Sequence, residues 1–201
     1  MNNTDLRIAT WNANGILDKR IELEIFLNIQ NIDVCLISET HLTRESFLRI
    51  KGYQVYHTYH PDNKARGGSA VIVKQSLAHH QEQHVQKPEI QLTLVCIKTM
   101  NQNLCLGAAY CPPRYNLKEL DYINFLKLAG ERFIIGGDYN AKHVDWRSRL
   151  ANTKGKELSK AINALGCTYH SSGKPTYWPT DVNKIPELLD FFIVKKVSQI
   201  S

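Results

Sequence analysis

The residues with the clearest chemical character lie at Gly136–Asn140, where two glycines are followed by an acid, a tyrosine and an amide. The run Phe133–Ile135 before them predicts a buried strand, because a continuous apolar run that ends at glycine suits a sheet covered on both faces. Glycine lets the backbone turn sharply and lets another group approach closely. Asp138 and Asn140 therefore follow the end of a strand, where α/β sheets place their chemistry. Taken alone, a Gly-Asp-x-Asn sequence such as Gly137–Asn140 more often forms an ordinary Asx turn.

The same arrangement of an apolar strand followed by a polar side chain occurs twice earlier in the chain. The strand predicted at Leu6–Trp11 ends at Asn12, and the strand predicted at Ile32–Ile37 is followed by Glu39. Because a parallel or mixed sheet can gather strand ends at one edge, we expect both side chains to meet the later acid and amide there. Carboxylate and amide donors suit Mg²⁺ or Mn²⁺ and do not suit zinc.

The composition predicts one domain over residues 1–201, long enough to form a core without disulfides or structural metals. The polar start Met1–Asp5 is not a secretory signal, and no apolar stretch is long enough to span a bilayer, so we expect an intracellular protein without a membrane partner. A net charge of +6 favours a polyanionic partner.

Five cysteines without paired zinc spacing are expected to be reduced core residues. They are Cys35, Cys96, Cys105, Cys111 and Cys167.

Three helices are predicted from apolar spacing, at Lys19–Gln30, Leu117–Ala129 and Lys156–Leu165. The expected apolar faces are Ile21, Ile25 and Ile29 with Phe26 beside them, then Leu117, Leu120, Ile123 and Leu126, then Leu158, Ile162 and Leu165. The expected capping residues are Asp18, Asn116 and, after the third helix, Gly166.

The remaining strands are predicted from alternating or continuous apolar runs bounded by turn residues. They are Gly52–Tyr59 paired with Ser69–Lys74, Ile90–Thr99 paired with Leu104–Tyr110 through a turn at Asn101–Asn103, and Thr176–Trp178 paired with Leu188–Val194. Strand-rich and helical segments alternate along the chain. This order predicts an α/β fold with two packed sheets and helices outside them.

Six short segments are distributed in order along nearly the whole length of the chain. They are Thr10–Gly15, Ser38–Leu42, Arg66–Val71, Ala109–Pro113, Gly136–Trp146 and Leu189–Phe192. As an ordered set they resemble the endonuclease/exonuclease/phosphatase superfamily, which includes exonuclease III and the apurinic-site endonucleases. The set is most similar to the endonuclease domain of jockey-like non-LTR retrotransposons, whose parent polyprotein is an RNA-directed DNA polymerase. The resemblance implies a four-layer sandwich of two mixed β-sheets flanked by helices, and metal-dependent phosphodiester cleavage.

The resemblance also implies roles for the residues at the strand ends. Glu39, with Asp138 and Asn12, would hold Mg²⁺ or Mn²⁺. Asp138 would take the proton from the attacking water, oriented by Asn140 and Asn12. Tyr110 would hydrogen-bond the phosphate, although a buried structural tyrosine is nearly as common at such a position. Turn capping is the alternative for both asparagines.

The sequence departs from the family pattern at two places. Asn14 stands where repair-type relatives carry an acid, which weakens a second metal contact. The family also ends on a strand bearing Ser-Asp-His, some tens of residues past Leu189–Phe192, and that motif is absent from the 201 residues. Asp190 would orient this histidine in complete relatives. We therefore expect a C-terminally incomplete domain, without its final strand or strands, whose activity is impaired.

The other histidines are not expected to replace the missing one. His41, His143 and His170 are interpreted as ordinary loop or strand residues. His79, His80 and His84 are close enough in sequence to bind a metal together, but they lack a fourth ligand, so no metal site is predicted there.

Basic loop residues lie near the predicted strand ends and are expected to contact DNA, unless they are only solvated. They are Arg66, Arg114, Lys142, Arg147 and Arg149. The loop Pro179–Glu187 matches in position a hairpin with which retrotransposon endonucleases select their target. Tyr177 and Trp178 at its base are expected to pack in the core.

The sequence and the resemblance therefore predict a monomeric, nuclear, Mg²⁺-dependent DNA endonuclease of the retrotransposon type, impaired by the missing histidine. The first alternative is a non-catalytic remnant that still binds metal or DNA. The second is a phosphatase of the same superfamily, which Asn14, the basic charge and the segment Ala141–Trp146 disfavour.

Overall fold

The computed structural model of the chain describes residues 5–99 and 103–197, within which it forms eleven strands and three α-helices. The strands are β1 (Ile8–Asn12), β2 (Val34–Ser38), β3 (Tyr53–Thr58), β4 (Ser69–Lys74), β5 (His79–Gln81), β6 (Val85–Lys87), β7 (Ile90–Ile97), β8 (Leu104–Tyr110), β9 (Phe133–Asp138), β10 (Thr168–His170) and β11 (Asp190–Lys195). The helices are α1 (Arg20–Ile29), α2 (Glu119–Lys127) and α3 (Thr153–Ala164). The turn predicted at Asn101–Asn103 lies largely outside the described residues.

The strands form two mixed sheets, which confirms the predicted fold class. The first sheet, sheet A, has the order β1-β2-β4-β3, and only its β1–β2 pair is parallel. The second, sheet B, has the order β10-β11-β9-β8-β7-β5, with β6 also pairing with β7, and only β8–β9 is parallel. The predicted β3–β4 and β7–β8 pairs are therefore confirmed.

The molecule has four layers, as predicted. Valines and leucines such as Val34 from sheet A and Leu106 from sheet B fill the space between the sheets. Helix α1 covers the outer face of sheet A, whereas α2 and α3 cover the outer face of sheet B. The longest described helix, α3, has 12 residues, and none of the described helices is long and apolar enough to cross a membrane.

The apolar face of α1 differs from the prediction. Leu23 and Leu27 are buried against sheet A, whereas Ile21, Ile25 and Ile29 are exposed, Ile29 at 73%. Both sets repeat every four residues, so periodicity alone could not distinguish the covered face from the free one. Asp18 does not cap the helix, because it lies within a 3-10 turn at Leu17–Lys19 that precedes α1.

The other two helices begin at different residues from those predicted. Helix α2 starts at Glu119 after Lys118, so Asn116 is not its cap, and Leu120 is exposed while Tyr122 and Phe125 are buried. Helix α3 starts three residues before the predicted Lys156. Its cap is Asn152, whose Oδ1 accepts a hydrogen bond from the backbone N–H of Gly155 at 2.7 Å. Gly166 has a φ of +61° directly after Leu165, which confirms its predicted position at the C-terminus of α3.

The strand pair predicted at the end of the chain is wrong. Both edges of β11 are occupied, by β9 and by β10, so Thr176–Trp178 has no edge to join. A single bridge joins Tyr177 to Glu187 instead. Trp178 is 65% exposed, which contradicts its predicted place in the core. Another tryptophan, Trp146, is fully buried and stacks on Phe191 with ring centroids 4.7 Å apart.

The prediction that all five cysteines are reduced is wrong for two of them. Cys96 on β7 lies directly opposite Cys105 on β8, with the Cα atoms 4.0 Å apart, and the two form a disulfide. The other three are free and buried, as predicted. The sequence could not indicate the bond, because the pairing depends on the register of two strands.

Candidate active site

The register of the two sheets brings several strand ends to one place. Asn12, at the end of β1, lies opposite the last residue of β2, directly before Glu39. In sheet B, Asp138 at the end of β9 lies opposite Tyr110 on β8 and opposite Asp190 on β11. The polar ends of five strands from two sheets therefore meet at one edge of the sandwich.

Asn12 links the two sheets at this edge. Its Nδ2 donates one hydrogen bond to Glu39 Oε1 at 3.0 Å and another to Asp138 Oδ2 at 2.9 Å. Its Oδ1 accepts from the backbone N–H of Asn14 at 3.0 Å. Three residues separated by up to 126 positions thus touch one another through a single amide.

Asn140 borders this cluster through its backbone. Its N–H donates to Asp138 Oδ1 at 2.8 Å, and its carbonyl accepts from Asn152 Nδ2 at 3.1 Å. Its φ of +47° belongs to the left-handed region, which asparagine tolerates better than most residues. The turn expected after β9 is therefore present, and the helix cap Asn152 holds its far side.

The cluster carries more acid than its surroundings neutralise. Burial raises the pKa of Asp138 well above the ordinary carboxyl range, and the nearby Asp190 and Glu39 add to the increase. Burial also raises the pKa of Asp190 to about 6. The pKa of Tyr110 is raised by burial, and further by Glu39 and Asp138, so its hydroxyl stays protonated and can donate a hydrogen bond.

This arrangement fits a divalent cation. Among the described residues, no lysine or arginine forms an ion pair with Glu39, Asp138 or Asp190, and the basic group nearest to Glu39 is His41, at 3.5 Å. Asp190 Oδ1 is buried without a hydrogen-bond partner in the described part of the chain. A set of oxygen donors with uncompensated negative charge suits Mg²⁺ or Mn²⁺ and offers no soft ligand for zinc.

Two residues next to the cluster were not predicted from the sequence. One is the helix cap Asn152. The other is Lys154, a fully enclosed lysine whose Nζ donates to the carbonyls of Cys111 and Pro112 at 2.8 and 2.9 Å. Burial lowers the pKa of Lys154, and the negative charge of Asp138 acts in the opposite direction. Lys154 fixes the segment that directly follows Tyr110, but nothing in the sequence distinguishes it from the exposed Lys156.

The histidines interpreted as ordinary residues do not contact Asp190. His41 is 3.5 Å from Glu39, His143 is 3.0 Å from Asp145, and His170 is exposed on β10. The carboxyl group of Asp190 hydrogen-bonds to Thr176 instead.

The five basic residues predicted to contact DNA form two pairs and one separate residue. Arg66 and Arg114 line one cavity of about 170 Å³ together with Tyr110. Lys142 and Arg149 both point to Glu187, at 3.0 and 3.6 Å. The fifth, Arg147, is exposed and lies against Gly173. Arg66 and Arg114 are therefore the pair that shares a cavity with a strand-end residue.

Replacement of Asn12 by alanine is expected to destabilise the metal-free chain by about 2–3 kcal/mol. Two hydrogen bonds to carboxylates are lost, and hydrogen bonds to charged groups contribute about 1.5–3 kcal/mol each, although relief of the crowding at the site offsets part of the loss. Urea denaturation measures the change. The matched control is Asn116→Ala, an exposed asparagine outside any helix, for which less than about 0.5 kcal/mol is expected. Equal effects of both changes would contradict the bridging role of Asn12.

Replacement of Asp190 by asparagine is expected to stabilise the metal-free chain at about pH 7.5. Its folded-state pKa of about 6 lies above the ordinary 3.8, so between these values the folded chain binds more protons than the unfolded chain. The free energy of unfolding therefore falls as pH rises through this window, and the penalty is complete above it. The expected gain is on the order of 1–3 kcal/mol near pH 7.5 and close to zero below about pH 4. Urea denaturation at both pH values tests this, and a gain of equal size at both would contradict it.

Comparison with known proteins identifies relatives of the chain. The model of the Endonuclease/Exonuclease/phosphatase family matches residues 9–199. The RNA-directed DNA polymerase from mobile element jockey of Drosophila melanogaster is 35% identical over 193 residues, which is 96% of this chain and 21% of that protein. The probable RNA-directed DNA polymerase from transposon BS of the same species is 33% identical over 190 residues, 94% of this chain and 21% of that protein. The chain thus spans about a fifth of the length of these relatives.

Solved structures share the fold. The endonuclease domain of TRAS1, a telomere-specific non-LTR retrotransposon, superimposes with a TM-score of 0.78 at 20% identity, over 96% of this chain and 86% of that one. The AP endonuclease LMAP from Leishmania major superimposes with a TM-score of 0.75 at 16% identity, over 95% of this chain and 79% of that one. At these identities the similarity establishes the fold alone.

Proposed function

The chain belongs to the endonuclease/exonuclease/phosphatase family, and we propose that it nicks DNA as the endonuclease domain of a non-LTR retrotransposon. The observation that carries the proposal is the amide of Asn12, which joins Glu39 and Asp138 at the meeting point of two sheets. The retrotransposon relatives and the basic charge of the chain support DNA as the substrate. A DNA substrate also favours the nucleus as the place of action.

Mg²⁺ or Mn²⁺ would be held by Glu39 and Asp138, where it would neutralise charge on the scissile phosphate. Asn12 fits a role different from that of the metal ligand predicted from the sequence. Its Nδ2 faces both carboxylates and its Oδ1 is engaged by the backbone of Asn14, so Asn12 orients the two acids. Each acid then keeps its second oxygen for other partners.

The remaining residues of the cluster divide the chemistry between them. Asp138 accepts the proton of the attacking water, in a position fixed by the backbone N–H of Asn140. Tyr110 stays protonated and donates to a phosphate oxygen. Arg66 and Arg114 line the cavity beside Tyr110 and contact the flanking phosphates.

The loop Pro179–Glu187 supplies a further contact with DNA in this proposal. Its apolar residues face solvent, since Trp178 at its base and Val182 at its tip are both exposed. At the other end of the loop, Glu187 forms ion pairs with Lys142 and Arg149. These ion pairs fix the direction in which the loop leaves the molecule. Exposed aromatic and apolar side chains beside a nuclease site are suited to packing against bases or a groove.

One group is still needed beside Asp190. Its buried Oδ1 lacks a partner among the described residues, and the family resemblance assigns that position a histidine from a Ser-Asp-His strand. Strand β1 is an edge of sheet A in the described structure, and Thr10 Oγ1 on it is also buried without a partner. We propose that the Ser-Asp-His strand pairs with this edge and completes the domain.

The test is nicking of supercoiled plasmid with Mg²⁺, using EDTA as the blank. The 201-residue chain is expected to nick at least about 100-fold more slowly than the same chain followed by a Ser-Asp-His strand, because general acid–base groups contribute about 10²–10⁴-fold. A second fusion with alanine in place of that histidine is the control. Equal rates for all three proteins would contradict the proposed role of the strand. Release of phosphate from inositol phosphates without nicking would overturn the endonuclease assignment.

The unpartnered oxygen of Asp190 also supports a second function, a non-catalytic remnant that binds metal or DNA. A remnant of this kind is expected to nick DNA neither as the 201-residue chain nor as its fusion to the Ser-Asp-His strand. This second function also predicts Mg²⁺-dependent stabilisation of the fold, which Glu39→Gln abolishes.

A further inference from the structure

Four metal-ligating side chains lie together on the outer face of sheet B, away from the strand-end cluster. His80 on β5 is opposite Cys96 on β7, and Cys96 is opposite Cys105 on β8. Cys105 is near the start of β8, whereas Tyr110 is its last residue, so the two groups lie at opposite ends of this strand. Directly opposed residues of neighbouring strands share a face, so the imidazole and the two sulfur atoms form a row.

A carboxylate completes this row. Glu82 Oε1 lies 2.9 Å from His80 Nε2, and the ligand atoms of His80, Glu82 and Cys96 are all within 4.8 Å of one another. The backbone N–H of Glu82 donates to the carbonyl of Leu94 at 3.0 Å, which fixes Glu82 against β7. The side chains of His80 and Glu82 are 44% and 41% exposed, so an ion from solvent can reach these two ligands, whereas Cys96 is buried.

The histidines grouped by their sequence spacing separate in the fold. His79 points to the opposite face of β5, where its Nδ1 is 2.6 Å from the carbonyl of Leu77 and its ring meets Tyr56. His84 lies in the exposed turn between β5 and β6. Of these three histidines, His80 is the one that stays in the group, and sheet pairing places Cys96 and Cys105 in a row with it.

We propose that this group is a redox-gated zinc site, formed when the disulfide between Cys96 and Cys105 is reduced. Two thiols of the glutathione class supply two electrons and two protons, the S–S bond breaks to give two Cys–SH groups, and the donor becomes its own disulfide. Binding of Zn²⁺ then releases the proton of each thiol. The two thiolates, His80 and Glu82 provide four ligands of the nitrogen, sulfur and oxygen types that tetrahedral zinc takes, whereas Mg²⁺ does not compete for thiolates.

The site has a mechanical consequence for sheet B. Strand β5 has three residues and forms the edge of the sheet. In the oxidised chain the disulfide joins β7 to β8 and does not reach β5. In the reduced chain the zinc ion joins β5 to both strands. Reduction therefore exchanges one cross-link for another that reaches one strand further.

The proposal is tested by titrating the 201-residue chain with Zn²⁺ against a chromophoric chelator, after reduction and after oxidation. The reduced chain is expected to bind one zinc at this site, with an affinity more than about 100-fold above that of the oxidised chain, because loss of direct ligands exceeds the 10–100-fold cost of losing their outer partners. Co²⁺ in place of Zn²⁺ is expected to give thiolate-to-metal charge-transfer absorption in the reduced chain only.

Four variants separate this site from other metal binding. His80→Ala and Cys105→Ser are each expected to weaken zinc binding by more than about 100-fold. His84→Ala, the matched control, is expected to leave it unchanged. Glu39→Gln, which alters the strand-end cluster, is also expected to leave the charge-transfer band intact. A reduced chain that binds Co²⁺ without this band, or zinc affinity that is the same in both redox states, would overturn the proposal, and circular dichroism confirms that each variant is folded.

Discussion

Replacement of Asp138 by asparagine is expected to slow Mg²⁺-dependent nicking of supercoiled plasmid by about 10⁴-fold, as found when one member of a catalytic unit is removed. The change preserves the shape of the side chain, so the hydrogen bond from Asn140 N–H to Oδ1 can remain. It removes the charge and the proton acceptor at the point where Asn12, Tyr110 and Asp190 converge. The rate is measured on the chain fused to the Ser-Asp-His strand, where the activity is expected to be higher.

The control for this experiment is Asp121→Asn. Asp121 is an exposed acid in the first turn of α2, where it accepts a hydrogen bond from the backbone of Lys118 that asparagine can also accept. Its replacement is expected to leave the nicking rate unchanged. If Asp138→Asn also nicks at the unaltered rate, Asp138 takes no part in the chemistry and the catalytic assignment fails. Loss of Mg²⁺-induced stabilisation in Asp138→Asn, with the fold retained, would tie the effect to the metal site.

The meeting of Asn12, Glu39 and Asp138 was predictable from the sequence because each residue follows an apolar strand. Such strand ends gather at one edge when the strands run in parallel, and the parallel pairs β1–β2 and β8–β9 both contribute to the site. The six ordered motifs also indicated the family and, through it, the four-layer architecture. The gathering of the strand ends itself follows from the local apolar pattern and the direction of the strands.

The errors arose where the sequence offers two equivalent choices. Two sets of apolar residues repeat along α1, and only the packing of the whole helix on sheet A selects Leu23 and Leu27 over the isoleucines. Trp146 and Trp178 are both large and apolar, so the sequence does not show which of them is buried. Trp178 is exposed because both edges of β11 are occupied, which leaves its segment no place beside that strand. The buried position of Lys154 depends in the same way on contacts between distant segments.

The two glycines before Asp138 allow another group to approach closely, and at Gly137 that group is the backbone of Ala109. A Cβ atom added there would lie 1.9 Å from the carbonyl oxygen of Ala109, its partner in the parallel β8–β9 pair. Gly137→Ala is therefore expected to destabilise the chain by at least about 3 kcal/mol, since overpacking against backbone cannot be relieved by a side-chain rotation. Thermal and urea denaturation measure the change.

Gly166→Ala separates this clash from the cost of backbone conformation. Gly166 has a φ of +61° and nothing within 4 Å of the added Cβ, so its replacement is expected to cost only about 1 kcal/mol. If Gly137→Ala costs no more than Gly166→Ala, the Ala109 carbonyl does not approach Gly137 closely. If it costs much more, the residual folded protein is also expected to lose Mg²⁺-induced stabilisation. Strands β8 and β9 carry Tyr110 and Asp138 at opposed positions, so any separation of the strands displaces one side chain from the other.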